Sequence, residues 1–321
     1  MDILLSCVLL AAVIALQGPV AVVGDGKCTY TREFKMLGAN CFNQNFEEIP
    51  QNLNKDIEIL YAAKNRIRKI TNSSLRDYTS LKLLYLGDNL ITKIEPGAFS
   101  ELTDLEVLDL SLNAVHTLPT DLPLPLRKLY LADNIVLQNI SLTAAFNLAY
   151  LNMAGCELRH FPSLGTLPNL KELNLTSNPL ESVTPADLAP LCRLEKLYLP
   201  PTLYHLPGVT TQCQCHRLLT WTSQRYIALP GFNCTALDDP DAAACNVDMT
   251  EEMKIFKTCL VATPASTTRY LLIGVLIGAL VAAFVIVVCW WRKSRRKKNS
   301  VQDQKRSEKT KNAKSVDTLI T

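Results

Sequence analysis

The chain has 321 residues, enough for two average domains, and its 48% hydrophobic and 20% charged side chains are spread unevenly. The net charge of +3 comes from one end: residues 292–321 hold 11 Lys/Arg and 3 Asp/Glu, a local balance of +8 that leaves −5 for the rest. A short basic tail beside an acidic remainder fits an anionic membrane leaflet and argues against a nucleic-acid partner.

Ile3 to Leu16 is an apolar run of signal-peptide length, too short to span a bilayer. Small residues follow at Ala21 and Gly24, so residues 1–24 are expected to be a signal peptide cleaved near Gly24. Asp2, with no early Lys or Arg, makes the leading region atypical, and an uncleaved anchor is the alternative. Residues 25–56 follow, with Cys28 and Cys41.

From residue 57 to 207 the chain repeats itself. Leu81, Leu84, Leu86, Asn89, Ile91 and Ile94 set the pattern LxxLxLxxNxLxxL, which recurs from Leu105 and Leu170, with weaker copies from Ile57, Leu126, Leu148 and Leu194. The seven copies are spaced 24, 24, 21, 22, 22 and 24 residues apart. The LxL core reads as a short strand whose leucines point inward, and the Asn amide serves backbone groups left over where the chain turns. No copy can bury its own apolar face, so neighbours share stability. Cys156 stands in the Asn place of the fifth copy and Thr202 in the seventh, where Pro200, Pro201 and Pro207 end the ladder.

Between the last two leucines of each motif lies a residue that faces the inner surface. Down the copies that column reads Tyr61, Tyr85, Asp109, Tyr130, Asn152, Asn174 and Tyr198. Tyrosine is favoured at binding surfaces, so the column is a candidate partner-binding face, although tyrosine also suits strands. Asn174 opens a sequon, and a glycan there would leave the first four copies, with Tyr61, Tyr85 and Tyr130, as the accessible half.

Residues 208–262 carry Cys213, Cys215, Cys234, Cys245 and Cys259, and residues 263–269 form a short stalk. Tyr270 to Trp291 is the second apolar segment, with no charge from Leu271 to Cys289 and aromatic residues at both ends, which predicts a transmembrane helix. Arg292, Lys293, Arg295, Arg296, Lys297 and Lys298 follow, so residues 292–321 are placed in the cytosol and the chain is a single-pass type I protein of the plasma membrane. Gly274, Gly278 and Ala282 form a small-residue stripe suited to pairing two such helices. The basic run suits anionic lipid, and Ser294, Ser300, Ser307 and Ser315 are placed to modulate that contact by phosphorylation.

Of 11 cysteines, Cys7 leaves with the signal peptide and Cys289 lies at the membrane, so nine enter the oxidising compartment. Nine is odd, so at least one stays free or pairs with another chain. Sequons at Asn72, Asn139, Asn174 and Asn233 fit the same compartment. His116, His160, His205 and His216 are scattered, and no phosphate loop, nucleophile elbow or metal-spaced His pair occurs. The chain reads as a non-enzyme without cofactor. Zinc at Cys213, Cys215 and His216 is the weaker account of residues that secretion would oxidise.

The repeats resemble the extracellular leucine-rich-repeat family over residues 28–262. The resemblance implies an α/β solenoid, a short horseshoe of about seven repeats lined by a parallel sheet and closed by disulfide-bonded caps. Cys28 and Cys41, followed by Phe46, Glu47, Glu48, Ile49 and Pro50, resemble the end of the family's N-terminal cap, with two cysteines where four are common. Cys213 to Trp221 resembles the opening of its C-terminal cap, and the family pattern implies Cys213–Cys234 and Cys215–Cys259; Cys192 and Cys245 are then extra, and whether they pair with each other is left open. The implied function is recognition of an extracellular or membrane protein. A receptor, co-receptor or adhesion role, a role like the transmembrane leucine-rich immune proteins of insects, and an auxiliary subunit of a potassium channel acting through span and tail are the competing forms.

Overall fold

The computed structural model describes residues 22–23, 28–122, 125–135, 137, 140, 142, 145–204, 209–233, 248–261 and 275–291. The chain divides into two units, Met1–Ala262 and Thr263–Thr321.

The first unit is a solenoid built on three-residue strands: β4 (Ile59–Tyr61), β6 (Leu83–Tyr85), β8 (Val107–Asp109), β9 (Lys128–Tyr130), β10 (Tyr150–Asn152), β11 (Glu172–Asn174) and β12 (Lys196–Tyr198). Each pairs in parallel with the next, so Leu60, Leu84, Leu108, Leu129, Leu151, Leu173 and Leu197 lie in one register row. All seven are fully buried, each contributing roughly 1.5–3 kcal/mol over an exposed position. On the outer side β5 (Lys69–Ile70) and β7 (Lys93–Ile94) form a second, two-stranded sheet. A single turn of helix, α1 (Pro185–Leu188), follows β11, with Thr184 and Asp187 forming a capping box.

Three residues per strand leave many backbone groups unpaired, and the repeated asparagine answers them. Asn89 donates to the carbonyls of Ala62 (3.0 Å), Leu86 (2.9 Å) and Gly87 (3.3 Å), and its Oδ1 accepts from the Ile67 N–H (3.1 Å). Asn65, Asn113, Asn134 and Asn178 are buried in the same way. In the fifth turn the Cys156 thiol takes this place and donates to the Leu131 carbonyl at 3.2 Å. The residue before the asparagine position adopts a left-handed conformation in six turns: Lys64, Asp88, Leu112, Asp133 and Ser177 have φ between 54° and 58°, and Gly155 has φ 64°.

A sheet needs its edges closed. At the N-terminal edge β2 (Thr29–Glu33) and β3 (Met36–Asn40) form an antiparallel hairpin, and β3 runs parallel to β4. Cys28 and Cys41 are joined across this hairpin. Val22–Val23, as β1, pairs antiparallel with β2. At the other edge Ala228 bridges to Lys196, accepting from the Leu197 N–H (3.0 Å) and donating to the Glu195 carbonyl (2.9 Å). Behind it α2 (Val209–Gln224) and α3 (Thr250–Val261) complete the cap. Trp221, fully buried, meets Phe256 edge-on at 5.9 Å and carries the Arg225 guanidinium at 3.3 Å from its ring centroid.

The structure corrects the cysteine pairing implied by the family resemblance. Cys259 is bonded to Cys192, which excludes both Cys215–Cys259 and Cys192–Cys245. The reason is placement: α3 lies against the turn after α1, where the Cys259 Sγ is 3.1 Å from the Pro190 carbonyl and 3.3 Å from the Cys192 N–H. Cys213 and Cys215 are both disulfide-bonded. Cys234 and Cys245 lie outside the described residues.

In the second unit residues 275–291 are helical, with every side chain exposed except that of the half-buried Val288. Among the described residues no helix is long and apolar enough to cross a membrane. The expected span began at Tyr270, and residues 270–274, Gly274 among them, are outside the described set, as is the tail. Gly278 and Ala282 lie on the exposed helix, and a Cβ added at Gly278 would meet nothing within 4 Å. Of the expected signal peptide, residues 1–24, all but residues 22–23 are likewise outside the described residues.

Candidate protein-binding face

The inner column is aligned rung by rung: Tyr61 opposite Tyr85, Tyr85 opposite Asp109, Asp109 opposite Tyr130, then Asn152, Asn174 and Tyr198. All seven side chains are half-buried rather than freely exposed, because rungs roughly 4.8 Å apart let neighbours cover one another. Tyr61 and Tyr85 stack with centroids 5.1 Å apart and planes 7° from parallel. Tyr130 packs at 5.0 Å on Tyr150, a residue the inner column did not contain. Tyr150 belongs to the parallel column two residues earlier, Ile59, Leu83, Val107, Lys128, Tyr150, Glu172 and Lys196. The period-two alternation of a strand places both columns on one face and was the signal that could have found it.

The N-terminal hairpin supplies a contact that no spacing announces. The Tyr61 hydroxyl donates to Glu33 Oε2 at 2.8 Å. Burial first, and the Glu33 hydrogen bond second, push the Tyr61 phenol up to about 12. Burial also raises Tyr85 and Tyr130, with Asp109 adding to both. These phenols therefore remain protonated donors at neutral pH.

The polar members of the column have local duties. Asp109 Oδ1 accepts from the Ser111 N–H (2.9 Å), Asn152 Oδ1 from Ala154 (3.1 Å) and Asn174 Oδ1 from Thr176 (3.0 Å). Each turns the chain out of its strand. The Thr176 hydroxyl also donates to Asn174 Oδ1 at 2.8 Å, so this sequon sits folded on the inner face. Asn72 and Asn233 are exposed, and Asn139 lies outside the described residues. Charged rungs flank the tyrosines: Lys82 to Glu58 at 2.6 Å, Lys171 to Glu195 at 2.7 Å and Lys196 to Glu172 at 2.8 Å.

The histidines are not brought together. His116 Nδ1 is 3.2 Å from the Thr92 carbonyl, His160 is 3.8 Å from Glu181, His216 sits on α2, and His205 is outside the described residues. Among the described residues no group of three His, Cys, Asp or Glu side chains is placed to hold a metal ion.

Two leucine-rich-repeat family models match the chain, at residues 56–115 and 169–191. Human leucine-rich repeat-containing protein 4C is 43% identical over 53 residues, which is 16% of this chain and 8% of that protein. Human 5T4, described as Wnt-activated inhibitory factor 1 and trophoblast glycoprotein, is similar in structure at a TM-score of 0.47 and 22% identity, covering 64% of this chain and 93% of that one. The repeating units are leucine-rich repeats, stacked in a solenoid of about seven turns with disulfides. Such solenoids serve as protein-interaction scaffolds.

Proposed function

We propose that the chain is a cell-surface recognition protein that binds a protein partner on the inner face of its first four turns. The observation that carries this reading is the in-register row of Tyr61, Tyr85 and Tyr130, two of them stacked and the third packed on Tyr150. Rings already held by their neighbours lose little freedom on binding, which favours them as anchors. Asp109, Asn152 and Tyr198 extend the surface, and a glycan on Asn174 would crowd its far end. The apolar run 270–291, its terminal tryptophans and the basic residues after it support a membrane anchor with the tail on anionic lipid. Gly274, Gly278 and Ala282 suit pairing of that anchor. Receptor, co-receptor, adhesion and innate-immune roles are all forms of this reading.

The test is a Tyr61→Ala, Tyr85→Ala, Tyr130→Ala triple variant of the full chain, compared with wild type by proximity labelling on living cells. Truncating interface anchors commonly costs about 2 kcal/mol or more, roughly thirtyfold in affinity, so the labelled neighbours should be lost. Because the rings are half-buried, a modest fall in melting temperature is expected, with normal delivery to the surface. A surface-delivered variant that labels the same neighbours as wild type overturns the proposal.

A further inference from the structure

A second surface lies on the flank where each strand leaves the inner face. Leu112 occupies the left-handed position before Asn113, with φ 54°, and is 54% exposed. A branched aliphatic residue is poorly suited to that conformation, and the equivalent places in the adjoining turns carry Asp88 and Asp133. Leu112 remains more than half exposed despite the strain. Beside it stand Leu90, 46% exposed, and Ile135, 63% exposed, each directly after its turn's asparagine. The backbone joins the rung of Leu112 to those of its neighbours: the Asn89 N–H donates to the Leu112 carbonyl (3.2 Å), and the Leu112 N–H donates to the Ala132 carbonyl (2.8 Å). Ala114, half-buried, fills the corresponding place between Leu90 and Ile135.

The charges around the strip select its partner. Asp88 and Asp133 are exposed on the rungs either side of Leu112, so one column reads acid, aliphatic, acid, while Lys64 and Arg66 lie beyond it on the first turn. The acidic rungs are about 10 Å apart, two strand spacings, and an extended chain places residues i and i+4 about 13 Å apart on one face. Flexible lysine or arginine stems cover the difference. A second copy of this chain is a poorer occupant. A strip of a few hundred Å² at most is far below the roughly 1,200 Å² of a stable interface, and pairing it about Leu112 would set Asp88 against Asp133.

We propose that the flank of turns two to four, with Leu112 between Asp88 and Asp133 and with Leu90 and Ile135 on the same rungs as the two acids, is a docking strip for an extended segment of a partner protein that carries an aliphatic residue between two basic ones. It is separate from the inner-face reading and stands without it.

The experiment pans a random peptide library on the full chain in detergent micelles, with a Leu112→Asn variant as the comparison. Selected peptides should carry Lys or Arg two residues either side of an aliphatic residue. They should bind Leu112→Asn about tenfold or more weakly, and Asp88→Asn with Asp133→Asn should remove the salt dependence of binding. The Tyr61, Tyr85, Tyr130 alanine variant should keep this binding, which separates the two surfaces. Leu112→Asn should melt at the wild-type temperature or roughly 2–4 °C higher, because asparagine tolerates the left-handed region. The proposal is overturned by peptides without the basic–aliphatic–basic pattern, by equal binding to both proteins, or by a lower melting temperature for Leu112→Asn. Self-association of wild type that Leu112→Asn abolishes would overturn it as well.

Discussion

Single buried side chains hold this solenoid through the backbone groups they serve. Asn113 donates to the carbonyls of Leu86, Leu110 and Ser111 and accepts from the Ile91 N–H, so its loss would orphan groups on two turns at once. Cys156 does the same work with one weak donor, reaching the Leu131 carbonyl at 3.2 Å and the Ala154 carbonyl at a looser 3.6 Å. Burial raises its thiol pKa, which disfavours the reactive thiolate, and Cys156 is a free, buried cysteine. Cys156→Asn should restore two stronger donors in a similar volume and stabilise the chain by about 1 kcal/mol. A thermal melt checks this, and a lower melting temperature would show that the pocket has closed around sulfur.

The elements that close the sheet are the next level. The Cys192–Cys259 bridge spans 67 residues and pins α3 to the end of the repeats. A loop of that length is constrained by about 4 kcal/mol in the chain-entropy account. Paired Cys192→Ser and Cys259→Ser changes should therefore lower the melting temperature and open α3 to protease, while the leucine rows of β4 to β10 keep the repeats folded. A peptide map without reduction should join the Cys192 and Cys259 peptides, and recovery of Cys259 with Cys215 would contradict the cap described here. Cys213 and Cys215 are two residues apart on α2 and project from different sides of the helix, so each needs its own partner.

For the whole molecule, the proposed surface display predicts processing and orientation together. Glycosidase treatment should lower the apparent mass by several glycans, Asn174→Gln should remove one of them, and a C-terminal epitope should be protected on intact cells. An unchanged mass, or an epitope cleaved from outside, would rule out the type I arrangement. Glu58 and Lys82 couple two neighbouring turns: their hydrogen bond holds the Glu58 carboxyl below its usual range and the Lys82 ammonium above its own. Glu58's contribution is thus present above the ordinary carboxylate pKa and fades as pH falls through its lowered value, though exposure and salt keep it small.

The sequence by itself determined the repeat, its register and its inner column, because Leu84, Leu108 and Leu173 recur at positions that a period-two strand must bury. It determined the place of Asn89 and its equivalents for the same local reason. Tertiary structure alone decided which cysteine meets Cys259, that Glu33 reaches Tyr61, and that Tyr150 packs on Tyr130. Those contacts join residues whose separation depends on how caps and neighbouring turns are laid against the stack. It also decided the conformation of Leu112. A left-handed turn is legible where Asp, Gly or Ser occupies it, and becomes visible at a leucine only when the turns on either side are superimposed by the fold.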